Sequence, residues 1–398
     1  MTVFISSMFD SGAIHVVSAE RADDIHVRIP QDNAAEFSQW FHFRVQGVGG
    51  KACRIVFDNA GETSYPRGWQ DYRAVASYDR VNWFRVPTTY DGRTMTVSFS
   101  PAHDSVYLAY FEPYPEERHL ALLGTAQNSP LVSSRSLGHT IDGRDMTLLT
   151  VGQAGAGKRN VWVIARQHPG ETMAEWFVEG LLRRLLGAGD WAGDPLAGAL
   201  LGEAVFHIVP NMNPDGSARG NLRTNAAGAN LNREWMTPEL SRSPEVAHVR
   251  AAIEAQGCDM FFDVHGDEAL PYVFVAGNDG VEGASDALLA RERAFIDRFK
   301  AASLDFQDKF GYPPGKHAAE SLKLASKWIA RRFGCLSLTL EMPFKDNANR
   351  PDAHVGWSGA RSAALGASML AAIWSQMQAD KGVVATPSTG VMQDEPTL

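Results

Sequence analysis

Two short segments carry side chains that could bind a metal, each directly after a run of buried, strand-like residues. The segment RQHPGE follows Val161–Ala165 and contains His168 and Glu171. The segment DVHGDE follows Met260–Phe262 and contains His265. Ligands of open α/β sheets gather at the carboxyl ends of the strands, so these three side chains are expected to converge. Two histidines and one glutamate would hold zinc and leave its fourth position open for water, as in catalytic zinc sites.

Each segment by itself also has an ordinary explanation, because a histidine three residues before a glutamate is common in proteins that bind no metal. Asp263 lies two residues before His265, so both side chains face the same way on a strand. Asp263 is therefore placed to hold the second imidazole nitrogen of a metal-binding histidine. Spacing alone leaves the metal site and the ordinary interpretation equally open.

The residues around these segments predict an α/β fold. After about Leu120, buried apolar runs alternate with helical patterns, and Ser285 is a candidate N-cap of one helix. The runs are Val161–Ala165, Ala204–Val209, Met260–Val264 and Cys335–Leu340, and the helical patterns are Thr172–Leu186, Pro244–Gln256, Ser285–Ala302, Ala319–Phe333 and Gly359–Gln378. This alternation predicts a mixed, largely parallel sheet flanked by helices.

An antiparallel β-sandwich is predicted before this sheet. Five short aromatic or branched runs with partial period-2 alternation are separated by turn residues: Trp40–Val45, Cys53–Phe57, Asn82–Val86, Thr94–Phe99 and Val106–Phe111. We therefore expect a sandwich domain over residues 1–117 and an α/β domain over 118–379. The segment 380–398 is rich in Pro, Thr, Ser and Gly without periodicity, and it is predicted to be a disordered tail.

Composition excludes several classes of protein. The 398 residues include 37 basic and 46 acidic side chains, for a net charge of −9, and there is no long basic run. Such a chain is poorly suited to general binding of nucleic acid or of an anionic membrane surface. The three cysteines are scattered and form no Cys-x-x-Cys pair, which is typical of a reducing compartment. We expect a cytoplasmic protein without a membrane-spanning segment.

Further motifs accompany the two metal segments in a fixed order along the chain. They are PNMNPDG from Pro210, the single residue Arg223, NLNREW from Asn230 and TLE ending at Glu341. The ordered set resembles the zinc metallocarboxypeptidase family, and it is most similar to the cytosolic carboxypeptidase branch, which also has a β-sandwich before the peptidase domain. The stretch VYLAYFEPY, from Val106, is similar to the boundary segment of that branch. The resemblance covers roughly residues 40–372.

The resemblance implies a role for each matching residue. One Zn²⁺ per chain would be held by His168, Glu171 and His265. Glu341 would be the general base that takes a proton from water and passes it to the leaving amine. Arg223 would stabilise the charge that develops on the scissile carbonyl oxygen. Asn232 and Arg233 would hold the terminal carboxylate of the substrate, for which a planar guanidinium is suited.

The implied activity is zinc-dependent removal of the last residue of a peptide or protein. Two alternatives stay open: a zinc amidohydrolase of the desuccinylase or aspartoacylase type, acting on acylated amino acids, and a catalytically silent binding module on the same scaffold. The family usually supplies a tyrosine from a mobile loop to cap the substrate. Here the loop that begins at Gly311 holds only Tyr312, which does not align with that role. A homo-oligomer is compatible with the sequence.

The stretch before the strand of Glu341 is basic, and in related enzymes it helps to wall the pocket for the terminal side chain. It contains a single acid, Glu320, against Lys316, Lys323, Lys327, Arg331 and Arg332. A solvated helix face explains most such lysines. One buried cation, however, would favour a C-terminal Asp or Glu, because a desolvated charge discriminates better than a surface charge. The cytosolic branch is associated with removal of glutamate, which suggests the same preference.

Overall fold

A computed structural model describes residues 3–316 and 318–384 of the chain. Within these ranges there are three β-sheets, eight α-helices and five short 3₁₀ helices. No helix in the described part of the chain is long and apolar enough to cross a membrane.

Residues 4–109 form two five-stranded sheets that enclose a shared core. The strands are β1 (Phe4–Ser6), β2 (His15–Arg21), β3 (Asp24–Arg28), β4 (His42–Gln46), β5 (Cys53–Phe57), β6 (Val75–Ser77), β7 (Trp83–Arg85), β8 (Thr88–Tyr90), β9 (Met95–Phe99) and β10 (Ser105–Ala109). One sheet has the order β1-β4-β10-β6-β7 and the other β2-β3-β5-β9-β8. Phe41, just before β4, packs on Phe57 of β5 with ring centroids 4.7 Å apart.

The sandwich predicted from the sequence is confirmed, and each of the five predicted runs overlaps a strand. Four of the unpredicted strands have three residues (β1, β6, β8) or no buried side chain (β2), so alternation did not mark them. The fifth, β3, does alternate, with Ile25 and Val27 buried, and the sequence analysis missed it. One pair departs from antiparallel order, since β3 and β5 run parallel. The chain crosses to the other sheet as β4 between them, and it therefore returns to the first sheet in the same direction.

The second part of the chain contains a seven-stranded mixed sheet. Its strands are β11 (Val132–His139), β12 (Asp145–Val151), β13 (Arg159–Ala165), β14 (Ala204–Val209), β15 (Met260–Asp267), β16 (Phe274–Ala276) and β17 (Leu336–Pro343). The order is β11-β12-β14-β13-β15-β17-β16. The four central strands, β14-β13-β15-β17, are parallel, and the three outer strands pair in the antiparallel sense. This confirms the predicted fold class.

Helices cover both faces of this sheet. They are α1 (Glu116–Gln127), α2 (Met173–Leu185), α3 (Pro195–Glu203), α4 (Pro214–Arg219), α5 (Pro244–Gln256), α6 (Asp286–Ala302), α7 (Ala325–Phe333) and α8 (Gly359–Val384). Successive residues of β13 pack in different hydrophobic cores. Val161 and Val163 lie in the core that includes α2 and α8, whereas Trp162 lies in the core that includes α5 and α7. A strand buried on both faces is apolar throughout, as the sequence showed. A Cβ on Gly180 of α2 would lie 1.9 Å from a backbone oxygen of α8, so this close helix pair requires glycine.

Three helix predictions can be compared with these bounds. Ser285 caps α6 as expected, because its hydroxyl accepts a hydrogen bond from the N–H of Leu288 at 3.2 Å. The pattern Ala319–Phe333 is not one helix, since a 3₁₀ helix, Ala318–Lys323, precedes α7. The last helix runs to Val384, which corrects the start of the predicted tail. The rest of that tail, 385–398, lies outside the described residues.

The two parts of the chain share one hydrophobic core. Tyr110, which follows β10, stacks on Phe344, which follows β17, with ring centroids 4.4 Å apart. The predicted boundary at residue 117 falls inside α1 and stays a prediction. The sandwich therefore packs directly against the edge of the large sheet where the candidate residues lie.

Candidate active site

The candidate metal ligands lie at the carboxyl ends of two neighbouring parallel strands. His168 and Glu171 occupy the turn between β13 and α2, and His265 lies near the end of β15. The turn begins at Arg166, whose backbone has a left-handed φ of 59°. Its buried guanidinium stabilises this conformation by donating to the carbonyls of Pro169 (2.9 Å) and Tyr114 (2.7 Å).

The three side chains converge on one point. The two carboxylate oxygens of Glu171 lie 2.6 Å from Nδ1 of His168 and 2.7 Å from Nδ1 of His265. The two Nδ1 atoms are 3.2 Å apart. All three residues are buried. Two imidazole nitrogens and a carboxylate, brought together in this way, can bind a divalent cation.

The outer nitrogens of both imidazoles face oxygen acceptors. Nε2 of His265 lies 2.9 Å from Asp263, as the spacing predicted, and Nε2 of His168 lies 3.1 Å from the side-chain oxygen of Asn230. An N–H on each Nε2 leaves the lone pairs of both Nδ1 atoms directed at Glu171. The residues present therefore fit a metal ion held by two Nδ1 atoms and a carboxylate.

Electrostatics within the trio agree with this arrangement. Burial lowers the pKa of His168 to about 3, so its imidazole is neutral. Burial alone would raise the pKa of Glu171, but the two imidazoles lower it below its ordinary value. For His265 burial acts to lower the pKa, and the carboxylates of Asp263 and Glu171 raise it well above the ordinary value. The raised pKa means that His265 binds a second ring proton more readily. A bound cation would compete with this proton, since metal ligation requires the neutral imidazole.

Glu341 lies beside this trio, on β17, in register with His265. One carboxylate oxygen accepts a hydrogen bond from the Tyr312 hydroxyl at 3.2 Å, and the other has no partner among the described residues. Burial raises the pKa of Glu341 well above its ordinary value, and the nearby carboxylates of Glu171 and Asp267 add to the shift. A carboxylate with a raised pKa can take up a proton and release it again.

The remaining predicted residues line the same cavity. Arg223 Nη1 lies 4.0 Å from Glu171, and its guanidinium faces the ring of Tyr65 at 5.6 Å. Asn232 accepts the first backbone N–H of α7 at 2.9 Å. Arg233 is next to it, with Nε 3.3 Å from the carboxylate of Glu320. The structure thus brings all seven predicted residues to one cavity of about 350 Å³.

Of the predicted basic residues, two line this cavity. Lys327 and Lys316 contribute to its wall. The other three, Lys323, Arg331 and Arg332, do not. These three side chains are exposed, as the ordinary interpretation predicted, although Lys323 lies in the 3₁₀ helix before α7 and the two arginines in α7.

Three further cavity residues were missed or left without a role by the sequence analysis. Tyr312 donates to Asp267 at 2.6 Å as well as to Glu341, so it lies at the centre of the site. Glu268 is buried there, and burial raises its pKa to about 8. Glu268 is the last residue of the segment DVHGDE, and this position close to His265 could have indicated that it belongs to the site. Tyr65 comes from the sandwich, and no motif or spacing in the sequence indicated that it would line the cavity.

Two family models match the chain in the order expected from the fold. One, described as the cytosolic carboxypeptidase N-terminal domain, matches residues 5–111, and the other, described as zinc carboxypeptidase, matches residues 121–356. The second match covers more than half of the chain and includes the three candidate metal ligands. The chain belongs to the zinc carboxypeptidase family. As a member of this family it is a carboxypeptidase, and the predicted resemblance is confirmed.

Solved structures agree with this assignment over nearly the whole chain. A metallo-carboxypeptidase from Burkholderia cenocepacia is 60% identical, with a TM-score of 0.94 over 95% of this chain and 100% of that one. A metallo-carboxypeptidase from Pseudomonas aeruginosa is 42% identical, with a TM-score of 0.90 over 94% and 99%. Human cytosolic carboxypeptidase 1 is 28% identical over 322 residues, which are 68% of this chain and 26% of the human protein. The chain spans about a quarter of that relative.

Proposed function

We propose that the chain is a zinc-dependent carboxypeptidase that removes an acidic residue from the C-terminus of peptides or proteins. The observation that supports the acidic preference is the side chain of Lys327. It lines the cavity and is buried, and its ammonium group has no hydrogen-bond partner among the described residues. A carboxylate of the substrate is the partner that such a group requires.

Each of the seven predicted residues has a task in this proposal. Zinc held by the trio would polarise the scissile carbonyl and acidify a water molecule. Glu341 accepts a proton from that water and delivers it to the departing amine, for which its unpartnered oxygen is available. The guanidinium of Arg223 stabilises the developing oxyanion. Asn232 and Arg233 bind the terminal carboxylate, which places the last side chain beyond them.

The surroundings of Lys327 explain why its charge is incompletely compensated. Burial lowers the pKa of Lys327 to about 8, and Glu292 is the acid that opposes this shift. Both oxygens of Glu292 already accept hydrogen bonds from Asn278. A Glu or Asp side chain in the pocket would complete a desolvated ion pair, whereas a Leu would leave the cation buried without one.

A second cation lies closer to the loop around residue 312. The ammonium group of Lys316 sits over the ring of Tyr312, 3.4 Å from its centroid. Both lysines are on the cavity wall, so an acidic side chain would approach a site with two positive charges. The neighbouring Thr339 hydroxyl, 2.7 Å from that of Ser326, adds a polar group to the same wall.

The proposal is tested by kcat/KM on matched peptides that differ only in a last residue of Glu, Leu or Lys. We expect the Glu peptide to be cleaved best. Lys327→Met should remove most of this preference, while Arg332→Met, on the exposed face of the same helix, should preserve it. Equal or better cleavage of the Leu or Lys peptide by the native chain would contradict the acidic preference and leave the peptidase assignment intact.

Two measurements would distinguish the peptidase from the two alternatives, a silent binding module and a zinc amidohydrolase. Zinc content per chain, together with release of amino acids from a C-terminal peptide library, would distinguish an active peptidase from a silent binding module. Hydrolysis of acylated amino acids without peptide cleavage would indicate the amidohydrolase. The match of the cytosolic carboxypeptidase N-terminal domain over residues 5–111 supports the peptidase.

A further inference from the structure

Arg223 lies in a loop that has no regular structure of its own. Residues 220–230, between α4 and the turn of Asn232, form neither helix nor strand. No ladder of backbone hydrogen bonds therefore fixes this loop, and the position of the guanidinium depends on what the loop backbone binds. An arginine that is to meet a developing charge must be held before the reaction begins.

Asp32, from the loop after β3 in the sandwich, binds this backbone. One carboxylate oxygen accepts the N–H of Leu222 at 2.6 Å. The other accepts the N–H of Arg223 at 2.8 Å, and both the N–H and the hydroxyl of Thr224, at 2.9 and 3.0 Å. Asp32 is 6% exposed, so these four donors are what its buried charge binds. Three consecutive peptide groups, with Arg223 in the middle, are fixed by one side chain.

The loop is held from its opposite side by the metal turn. The carbonyl of Leu222 accepts the N–H of Gly170, which lies between the two ligands of that turn, at 2.9 Å. The sandwich also surrounds the side chain, because the guanidinium of Arg223 lies 5.6 Å from the ring centroids of both Phe37 and Tyr65. Farther along, a Cβ on Gly228 would lie 2.2 Å from the carbonyl oxygen of Ala34.

We infer that Asp32 is a positioning residue: through the backbone of residues 222–224, the sandwich sets the guanidinium of Arg223 at the distance from the metal turn that the reaction needs. Asp32 is not among the residues that line the cavity, and its side-chain hydrogen bonds among the described residues go to the loop, so it would act through the loop. This inference rests on the proposed role of Arg223. It gives the sandwich a part in the chemistry besides its contribution to the core.

The test is a double-mutant cycle with Asp32→Asn and Arg223→Ala, in which single-turnover rates are measured on a peptide ending in Glu. The amide nitrogen of Asn would face N–H donors and release the loop. In the native background we expect the rate to fall about 10- to 100-fold, with zinc content unchanged. This is less than the loss caused by deleting an oxyanion donor outright, because the guanidinium is displaced and not removed. In the Arg223→Ala background the same change should cost less than about twofold.

A control with a similar set of backbone and hydroxyl donors, but on an exposed turn, exists in the same sandwich. Asp91 accepts the N–H groups of Arg93 and Thr94 and the hydroxyl of Thr94, but in a turn outside the cavity lining. Asp91→Asn should leave the rate unchanged. If Asp32→Asn yields too little folded protein, Asn33→Ala provides a milder change, because Asn33 donates to the carbonyl of Ala226 in the same loop at 2.7 Å. It should lower the rate severalfold in the native background only.

The outcomes separate the inference from the proposed function. Equal losses in both backgrounds would mean that Asp32 supports only folding, and the inference would be wrong. A normal rate for Asp32→Asn with an impaired Arg223→Ala would also overturn it, while the role of Arg223 would stand. Full activity of Arg223→Ala would remove that role and the inference with it.

Discussion

The two parts of the chain contribute to the cavity in different ways. The large sheet supplies His265 and Glu341 from paired residues of β15 and β17, and it supplies the other two candidate metal ligands, His168 and Glu171, from the turn that directly follows β13. The sandwich supplies Asp32 and Tyr65 from loops, and these side chains act on or beside Arg223. The candidate ligands and Glu341 are thus placed by the large sheet and the turn that follows its strand β13. The position of Arg223, in contrast, depends on contacts between its irregular loop and the sandwich.

The largest effect is expected at the strand ends. His265→Ala or His168→Ala should abolish zinc retention and activity, because two remaining ligands cannot hold the ion in a closed geometry. His207→Ala is the matched control: this histidine is also buried in the sheet, but it stacks on Trp162 at 4.6 Å, away from the trio. Zinc per chain, measured after dialysis, checks the prediction. Full stoichiometry in either ligand variant would show that the ligand assignment is wrong.

The next effect concerns Glu341, which is also placed by the sheet. Glu341→Gln should retain zinc and the fold, while the chemical step slows about 10²–10⁴-fold, because an amide cannot accept the proton from water. Single-turnover rates, compared with zinc content and the unfolding temperature of the same sample, check this. Near-normal turnover of a good substrate would exclude Glu341 from the mechanism.

The same contrast explains what could be predicted from the sequence. The trio and Glu341 follow buried apolar runs, and a short motif at a strand end contains most of the information on its position. Asp32 and Leu222 are 190 residues apart and meet only after two sheets have packed, so no local pattern indicates their contact. The burial of Lys327 was equally hard to predict, because a lysine four residues before two exposed arginines is normally on the solvated side of a helix, whereas the structure buries the whole run Ala325–Ala330.

A second contact between the two parts should affect stability without affecting chemistry. Arg85, on β7, is buried and donates to the carbonyls of Phe344 and Trp357, both at 2.9 Å, in the second part of the chain. Arg85→Met would leave these carbonyls without a donor and should lower the free energy of unfolding by about 3 kcal/mol. The kcat of the folded fraction should stay normal, in contrast to Asp32→Asn. Denaturant unfolding and kcat, measured on one preparation, check both statements.

The smallest effect is expected at Glu320, an exposed residue whose carboxylate we expect to compete with the substrate for Arg233. The carboxylate of Glu320 lies 3.3 Å from Arg233 Nε and 3.6 Å from the ammonium group of Lys323. A terminal carboxylate bound by Arg233 would have to displace it. Exposed ion pairs contribute up to about 1 kcal/mol, so Glu320→Gln should lower KM about threefold. The kcat should stay unchanged, since the proposed partner of Arg233 is the terminal carboxylate and not the scissile bond. Glu254→Gln, beside Arg332 on the far side of α7, is the control. A higher KM for Glu320→Gln would mean that Glu320 orients Arg233 for the substrate instead of competing with it.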